Sequence, residues 1–258
     1  MAPLDTKPWW QGSFGYQIYI RSFADSNNDG FGDFQGIRSK IPYLKDLGVD
    51  FVWITPFYPS PMADWGYDVA EYCDIDPTFG TLDDFDELVE KAHQSGIKIV
   101  ADLVPNHTSD QHVWFKEAKK GPENEFRDYY VWKDPAPDGG PPNNWVAYFG
   151  GPAWTFDDNS GQYYMHLFLP EQPDLNWRNP KVLNEFDQIL RFWLERGIDG
   201  FRIDVAGGLM KDEQFRSNPE ITTWDPEGDR WEQFESFEHL YDIFQKDNHE
   251  IFRRWRSI

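Results

Sequence analysis

The chain is 258 residues long, with 45 Asp and Glu against 24 Lys and Arg and a formal charge of -21. That field repels nucleic acid and anionic membrane surfaces, which are excluded as expected partners; a halophilic or merely very soluble surface accounts for the same excess. The length suffices for one large domain or a domain with an insertion, and the single cysteine, Cys73, leaves no intrachain disulfide.

From the N-terminus, Met1 to Gln11 shows no cationic stretch followed by an apolar run, and no later segment reaches membrane-spanning length. With a lone cysteine, the expectation is a cytoplasmic protein. Tyr16 to Ile20 reads as a first strand. Asp25-x-Asn27-x-Asp29-Gly30-Phe31-x-Asp33 then puts oxygen-bearing residues at positions 1, 3, 5 and 9 of a calcium-type loop, with Gly at 6. Position 12 is Gly36 rather than Glu, so an isolated polar turn is the competing reading. A bound Ca²⁺ held by Asp25, Asn27, Asp29, Phe31 and Asp33, pinning this loop, is the expectation.

Three places then share one grammar: a helix ends at Gly, an aliphatic residue follows, and a mostly apolar strand begins. These are Gly48-Val49, Gly96-Ile97 and Gly197-Ile198. Glycine supplies the left-handed cap, and such strands suit a sheet covered on both faces. The helical stripe before the first is Ile37, Ile41, Leu44 and Leu47, interrupted by Pro42. The second follows Leu82, Phe85, Leu88, Val89 and Ala92, opened by the capping pair Thr81 and Asp84. The third follows Val182, Phe186, Ile189, Leu190 and Trp193, opened by Asn179-Pro180. A further helical stretch is expected from about Trp231 to Trp255. This alternation predicts an α/β fold with a parallel sheet and right-handed crossovers.

Residues 108–178 break the rhythm. They are rich in Pro, Gly, Asn and aromatics, above all from Pro135 to Trp145, and predict an inserted subdomain of irregular or short-stranded structure. The predicted organisation is barrel over 1–107, insertion over 108–178 and barrel again over 179–258. Aromatics make up 18% of the chain, including 13 Trp. Flat rings stack on sugar faces, although core and loop packing accounts for most of them.

The polar residues fall where a parallel sheet builds its sites, at strand C-terminal ends. Asp102 lies late on its strand and is followed by Asn106-His107. Asp64-Trp65-Gly66-Tyr67-Asp68 lies in the loop after Val52 to Thr55. On Gly200 to Val205, side-chain alternation points Arg202 and Asp204 one way and Phe201, Ile203 and Val205 the other. A guanidinium beside a carboxylate keeps it ionised and oriented, which serves a nucleophile as well as a structural ion pair. Several strands delivering polar groups to one rim point to an enzyme.

Taken together, Trp9-Trp10, Ser22-Phe23-Ala24-Asp25, Asp102-Leu103-Val104-Pro105-Asn106-His107, Gln172-Pro173-Asp174-Leu175-Asn176-Trp177 and Gly200-Phe201-Arg202-Ile203-Asp204 resemble glycoside hydrolase family thirteen, the α-amylase family. The likeness is to its α-glucosidase and oligo-1,6-glucosidase branch. It implies a (β/α)8 barrel with a subdomain inserted after the third strand. By the same resemblance, Asp204 is the nucleophile that forms a covalent β-glucosyl intermediate and Arg202 holds its carboxylate. Asp102 and His107 bond hydroxyls of the sugar being cleaved, Asp64 holds its terminal hydroxyls, and Tyr67 stacks on its ring. The Asp25 to Asp33 loop is similar to a Ca²⁺ site of that branch. Val205 is similar to the residue found in α-1,6-acting members, where α-1,4-acting members tend to carry Ala or Thr. The implied substrate is a short oligosaccharide trimmed from its non-reducing end.

A retaining glycosidase needs two carboxyl groups about 5 to 5.5 Å apart. The family's general acid is a Glu in a Gly-Glu-aromatic block on the fifth strand, and no such block follows Val205. The family's later His-Asp pair is also lacking. The resemblance therefore extends to about the first four β/α units, and the expectation is a truncated barrel with low activity by itself and edges prone to self-association. A catalytically silent relative or fragment serving as a carbohydrate-binding or assembly module is the alternative from another class.

Overall fold

A computed structural model of the chain describes residues 7–258. The Met1 to Gln11 reading therefore falls partly outside the described residues. In chain order the elements are β1 (Gly15–Ile18), α1 (Ile20–Phe23), α2 (Phe34–Ser39), α3 (Ile41–Asp46), β2 (Phe51–Ile54), α4 (Leu82–Gln94), β3 (Lys98–Leu103) and α5 (Val113–Ala118). Then come β4 (Trp132–Lys133), β5 (Trp154–Asp157), β6 (Gln162–Met165), α6 (Pro180–Glu195), β7 (Gly200–Ile203), α7 (Arg230–Glu235) and α8 (Asn248–Arg256). They divide between two compact units. One holds residues up to Phe57 with Asp74–Leu103 and Trp193–Arg202; the other holds Tyr58–Cys73, Val104–Phe192 and Ile203–Ile258.

The first unit is built on a four-stranded parallel sheet in the order β1-β2-β3-β7, the arrangement of part of a (β/α)8 barrel. Tyr16 lies opposite Val52, and Val52 opposite Ile99. Five of the six residues of central β3 are buried, whereas β7 is only half-buried and β1 has one buried residue. That gradient is what outer strands with one unpaired edge produce. Phe34, Phe57, Phe85 and Trp193 form an edge-to-face cluster with centroids 5.2 to 5.4 Å apart. The sequence grammar is met at Gly48, Gly96 and Gly197, whose φ values are 82°, 80° and 95°. At the second, Ile97 N–H closes back on the Ala92 carbonyl at 2.9 Å, which satisfies the helix end. Thr81 and Asp84 form the reciprocal capping box of α4.

The second unit contains the irregular 108–178 segment, organised round an antiparallel sheet in the order β4-β6-β5. Trp145, Trp154, Met165 and Leu167 make its core, all 4% exposed or less.

Four local expectations are corrected or sharpened. The first strand stops at Ile18; Ile20 already opens α1, its N–H turned to Thr55 Oγ1 at 3.3 Å. The stripe around Pro42 is two helices, with Pro42 in the first turn of α3, where its missing N–H costs nothing. The helix expected over 231–255 is two short ones, α7 and α8. Between them the N–H groups of Leu240 and Tyr241 bond Asn218 Oδ1 at 3.1 and 3.0 Å, not carbonyls four residues back. Finally, β7 ends at Ile203, so Asp204 and Val205 lie in a turn and the strand alternation does not reach them; Val205 sits at φ 47°. Among the described residues no helix is long and apolar enough to cross a membrane.

Candidate active site

In the first unit, Asp102 of β3 is fully buried, and its carboxylate is held from two neighbouring strands. Trp53 of β2 donates its indole N–H to Oδ2 at 2.9 Å. Arg202 of β7 donates from Nη1 to Oδ1 and Oδ2 at 3.2 and 3.3 Å, while its guanidinium carbon lies 4.7 Å from the centre of the Trp53 ring. A carboxylate gripped by an N–H and a cation, itself stacked on an arene, is fixed in direction. Trp53 was not singled out in the sequence, because an apolar strand residue gives no hint of where its N–H points.

In the second unit, the loop bearing Asp64 is shaped by Asp68, which is wholly buried. Its Oδ1 accepts from Ser60 Oγ and from Asp64 N–H, and its Oδ2 from Ala63 N–H, each at 2.9 Å. Trp65 at φ 53° and Gly66 at φ 105° complete the tight turn. Burial raises the Asp64 carboxyl above its ordinary range, opposed by a hydrogen bond from Gln172. That bond runs from Gln172 Nε2 to Asp64 Oδ2 at 3.0 Å.

His107 is also buried in this unit and lies 3.0 Å from Gln172 Nε2 through its own Nε2. The same ring nitrogen is 3.2 Å from the Tyr67 carbonyl, and Nδ1 is 3.1 Å from Asn106 Nδ2. Burial lowers the imidazole below its ordinary value, against the pull of Asp174 and Asp204, so it is neutral at pH 7. Asp204, half-buried in the turn after β7, exerts its charge on both Asp64 and His107. Asp64, Tyr67, His107 and Asp204 thus belong to one neighbourhood. Asp102 and Arg202 are joined in the first unit.

Gln172, which the spacing left as part of a polar turn, bridges Asp64 and His107. Beneath it lies an ion pair that sequence reading missed: Lys211 Nζ stands 2.6 Å from Asp174 Oδ2, with side chains 4% and 0% exposed. A solitary lysine after a glycine-rich turn carries no sequence signal of such a partner.

The loop from Asp25 to Asp33 lies in the first unit. Asp25 accepts the N–H groups of Asn27, Asn28 and Gly30 at 3.1, 2.7 and 2.9 Å, which holds its carboxyl below the usual range. Asp29 accepts from Phe31 N–H at 2.8 Å. Asp33 caps α2 through Gly36 N–H at 2.6 Å and takes Ser26 Oγ–H at 2.8 Å on its other oxygen. Among the described residues no three His, Cys, Asp or Glu side chains converge as they would round an ion. The donor set is nonetheless all oxygen, the chemistry that suits Ca²⁺.

Residues 17–257 match the family model for the α-amylase catalytic domain. The α-glucosidase of Culex pipiens is 50% identical over 98% of this chain and 43% of its own length. The oligo-1,6-glucosidase of Heyndrickxia coagulans is 54% identical over 79% of this chain and 37% of its own. The crystal structure of the α-glucosyl transfer enzyme XgtA superimposes with a TM-score of 0.92 at 46% identity, over 97% of this chain and 47% of that one. The chain spans less than half the length of these relatives.

Proposed function

The chain belongs to the α-amylase catalytic-domain family, and we propose that it supplies the nucleophile side of a retaining α-glucosidase. Its substrate would be a short oligosaccharide, cleaved at the non-reducing end. The observation that carries this reading is that Asp204 acts electrostatically on both Asp64 and His107. The proposed nucleophile and two groups proposed to bind hydroxyls thereby share one neighbourhood.

In this mechanism an Asp204 oxygen bonds to the anomeric carbon as the glycosidic C–O bond breaks, giving a covalent β-glucosyl intermediate that water then hydrolyses. Arg202 would orient the Asp204 carboxylate in the reaction, beside its contact with Asp102. Asp102 and His107 bond hydroxyls of the reacting sugar, Asp64 its terminal hydroxyls, and Tyr67 stacks on the ring. The departing oxygen takes its proton from a second carboxylic acid, a role that none of the residues named here fills. Val205 inclines the preference toward α-1,6 bonds, in keeping with the name of the Heyndrickxia coagulans relative; the names of the Culex pipiens protein and XgtA specify no linkage.

Ca²⁺ is proposed as a structural ion on Asp25, Asn27, Asp29, the Phe31 carbonyl and Asp33, where it would brace the loop before α2. The outer strands β1 and β7, with Trp10 and Phe14 exposed nearby on the β1 side, support self-association of the 258 residues through strand edges. The lone Cys73 supports a cytoplasmic location.

The test is a glucosyl donor that needs no proton on its leaving group. Incubation with 5-fluoro-α-glucosyl fluoride, followed by peptide mass mapping, should place one glucosyl adduct on Asp204, absent from Asp204→Asn. Binding of isomaltose without any adduct at Asp204 would instead favour a carbohydrate-binding module.

A further inference from the structure

The buried Lys211 is not needed to explain the attack on a sugar, yet it lies at the end of a chain of contacts leading to His107. Its ammonium is surrounded by oxygens: Asp174 Oδ2 at 2.6 Å, the Gly208 carbonyl at 2.5 Å and Asn106 Oδ1 at 3.1 Å. Asp174 is itself anchored, since its Oδ1 accepts the Leu167 N–H at 2.9 Å. A lysine has three donors and no acceptor, so it dictates which end of the Asn106 amide faces it. The oxygen turns to Lys211, and the NH₂ group is left pointing at His107 Nδ1, 3.1 Å away. Gly208 gives this arrangement its room: a Cβ there would come within 2.9 Å of Asn106 Oδ1.

The other amide beside the ring is fixed independently. Gln172 Oε1 accepts the Leu169 N–H at 3.1 Å, and its Nε2 donates to Asp64, so NH₂ also faces His107 Nε2. A neutral imidazole has one donor and one acceptor, and the two tautomers can be compared contact by contact. With the proton on Nε2, Nδ1 accepts from Asn106 and Nε2–H donates to the Tyr67 carbonyl at 3.2 Å, leaving one mismatch, against Gln172. With the proton on Nδ1, that N–H opposes the Asn106 NH₂ and a bare Nε2 opposes the Tyr67 oxygen. Two mismatches result, and only the Gln172 contact is gained. Nε2–H wins, but only while Asn106 is held as it is. Were the Asn106 amide to turn over, its oxygen would accept Nδ1–H, and the balance would move to the other tautomer.

We propose that Lys211 is a positioning residue which, by orienting the Asn106 amide, holds His107 in the tautomer that carries its proton on Nε2. Its consequence for the reaction rests on the reading of His107 as a ligand of a sugar hydroxyl: Nε2 then meets the substrate as a donor, and the hydroxyl oxygen must be the acceptor. Asp174 serves by holding the lysine in place, through the 2.6 Å ion pair and its own anchor on the Leu167 N–H.

The tautomer can be read without turnover. A chain labelled with ¹⁵N-histidine has six imidazoles. The His107 pair of ring nitrogens is identified in a two-bond ¹H–¹⁵N spectrum by its loss in His107→Gln. The expected result at pH 7 is a protonated Nε2 and a bare Nδ1. Lys211→Met leaves Asp174 as an unpaired buried charge and can unfold the chain. The decisive variant is therefore Lys211→Met combined with Asp174→Asn, which buries no lone charge. In it the Nδ1–H form should become the major species. An Nδ1–H form in the unaltered chain, or an unchanged Nε2–H form in the double variant, overturns the proposal. Failure of the glucosyl-adduct test leaves this readout intact, so the two ideas fail separately.

Discussion

Arg202 on β7 donates to both carboxylate oxygens of Asp102 on β3, at 3.2 and 3.3 Å, although the aspartate is fully buried and the arginine is more than a third exposed. The asymmetry predicts unequal mutants. Arg202→Met takes the cation away from both oxygens of a fully buried carboxylate and should cost about 3 kcal/mol. Asp102→Asn removes the charge and can still offer an oxygen to the Trp53 N–H, so its cost should be smaller. Urea midpoints at pH 7 rank the two, and the reverse order would refute this account of the pair.

Acid sensitivity should trace in part to His112. Burial pushes its imidazole down to about 3, with a smaller push from Lys116. Its Nδ1 is an acceptor, taking the Trp114 N–H at 3.1 Å as the cap of α5. Below about pH 6.5 the unfolded chain binds a proton that the folded one refuses, so stability rises with pH between about 3 and 6.5. The contribution is present above that window and is lost as pH falls through it, on the order of a few kcal/mol. His112→Gln should flatten the pH dependence of the urea midpoint from pH 4 to 6.5. An unchanged slope would show that the imidazole does not titrate as its burial requires.

Asp64 has the opposite sign. Its raised carboxyl means that the folded chain holds a proton more tightly than the unfolded one, and ionised Asp64 weakens the fold above that range. Asp64→Asn should therefore raise the melting temperature at pH 7 while removing affinity for isomaltose. The gain should vanish near pH 3, where both folded and unfolded carboxyls are protonated. A melting temperature lowered by the substitution at pH 7 would mean that the charge is satisfied better than its burial indicates.

What could be read from the chain alone was whatever is set by local rules. Gly48, Gly96 and Gly197 announced helix ends because the left-handed cap is a one-residue requirement, and Thr81 with Asp84 announced a helix start for a similar reason. Family motifs drew attention to Asp102, His107 and Asp204; the structure holds Asp102 between Trp53 and Arg202 in the first unit and brings His107 and Asp204 into one neighbourhood in the second. Strand alternation failed beyond Ile203, since nothing in Asp204-Val205 marks the turn. Trp53 and Lys211 stayed invisible because each acts through a partner distant in sequence: Asp102 lies 49 positions from Trp53, and Asn106 lies 105 from Lys211. Residues 231–255 misled through composition, since amphipathic content there is interrupted by side-chain capping from Asn218.

Calcium should raise stability through the loop before α2. Asp25, Asn27 and Asp29 already hold backbone N–H groups in successive turns, so the ion would add to an ordered loop. At a hundredfold excess over its dissociation constant, a ligand bound only by the folded state contributes about 2.7 kcal/mol. Melting should shift upward with added Ca²⁺ and return on chelation. Asp29→Asn keeps an oxygen for the Phe31 N–H but removes a charge, so it should lose the calcium response with little change in the metal-free melting temperature. The same response in Asp29→Asn and the unaltered chain would place the ion elsewhere.

Val205 couples backbone strain to the residue that precedes it, the proposed nucleophile. A β-branched residue at φ 47° is strained, and positions of this kind carry about 1–3 kcal/mol. The side chain is only half-buried, so Val205→Gly forfeits little packing and should stabilise the chain by about 1 kcal/mol. Val205→Thr keeps the branch and hence the strain, and should give no such gain. If the side chain also inclines the site toward α-1,6 bonds, Val205→Thr should lower affinity for isomaltose relative to maltose while stability stays put. Titration with the two disaccharides beside urea unfolding separates these effects. A destabilised Val205→Gly would show that contacts of the valine methyls outweigh the relief of the turn, and strain would then play no part in presenting Asp204.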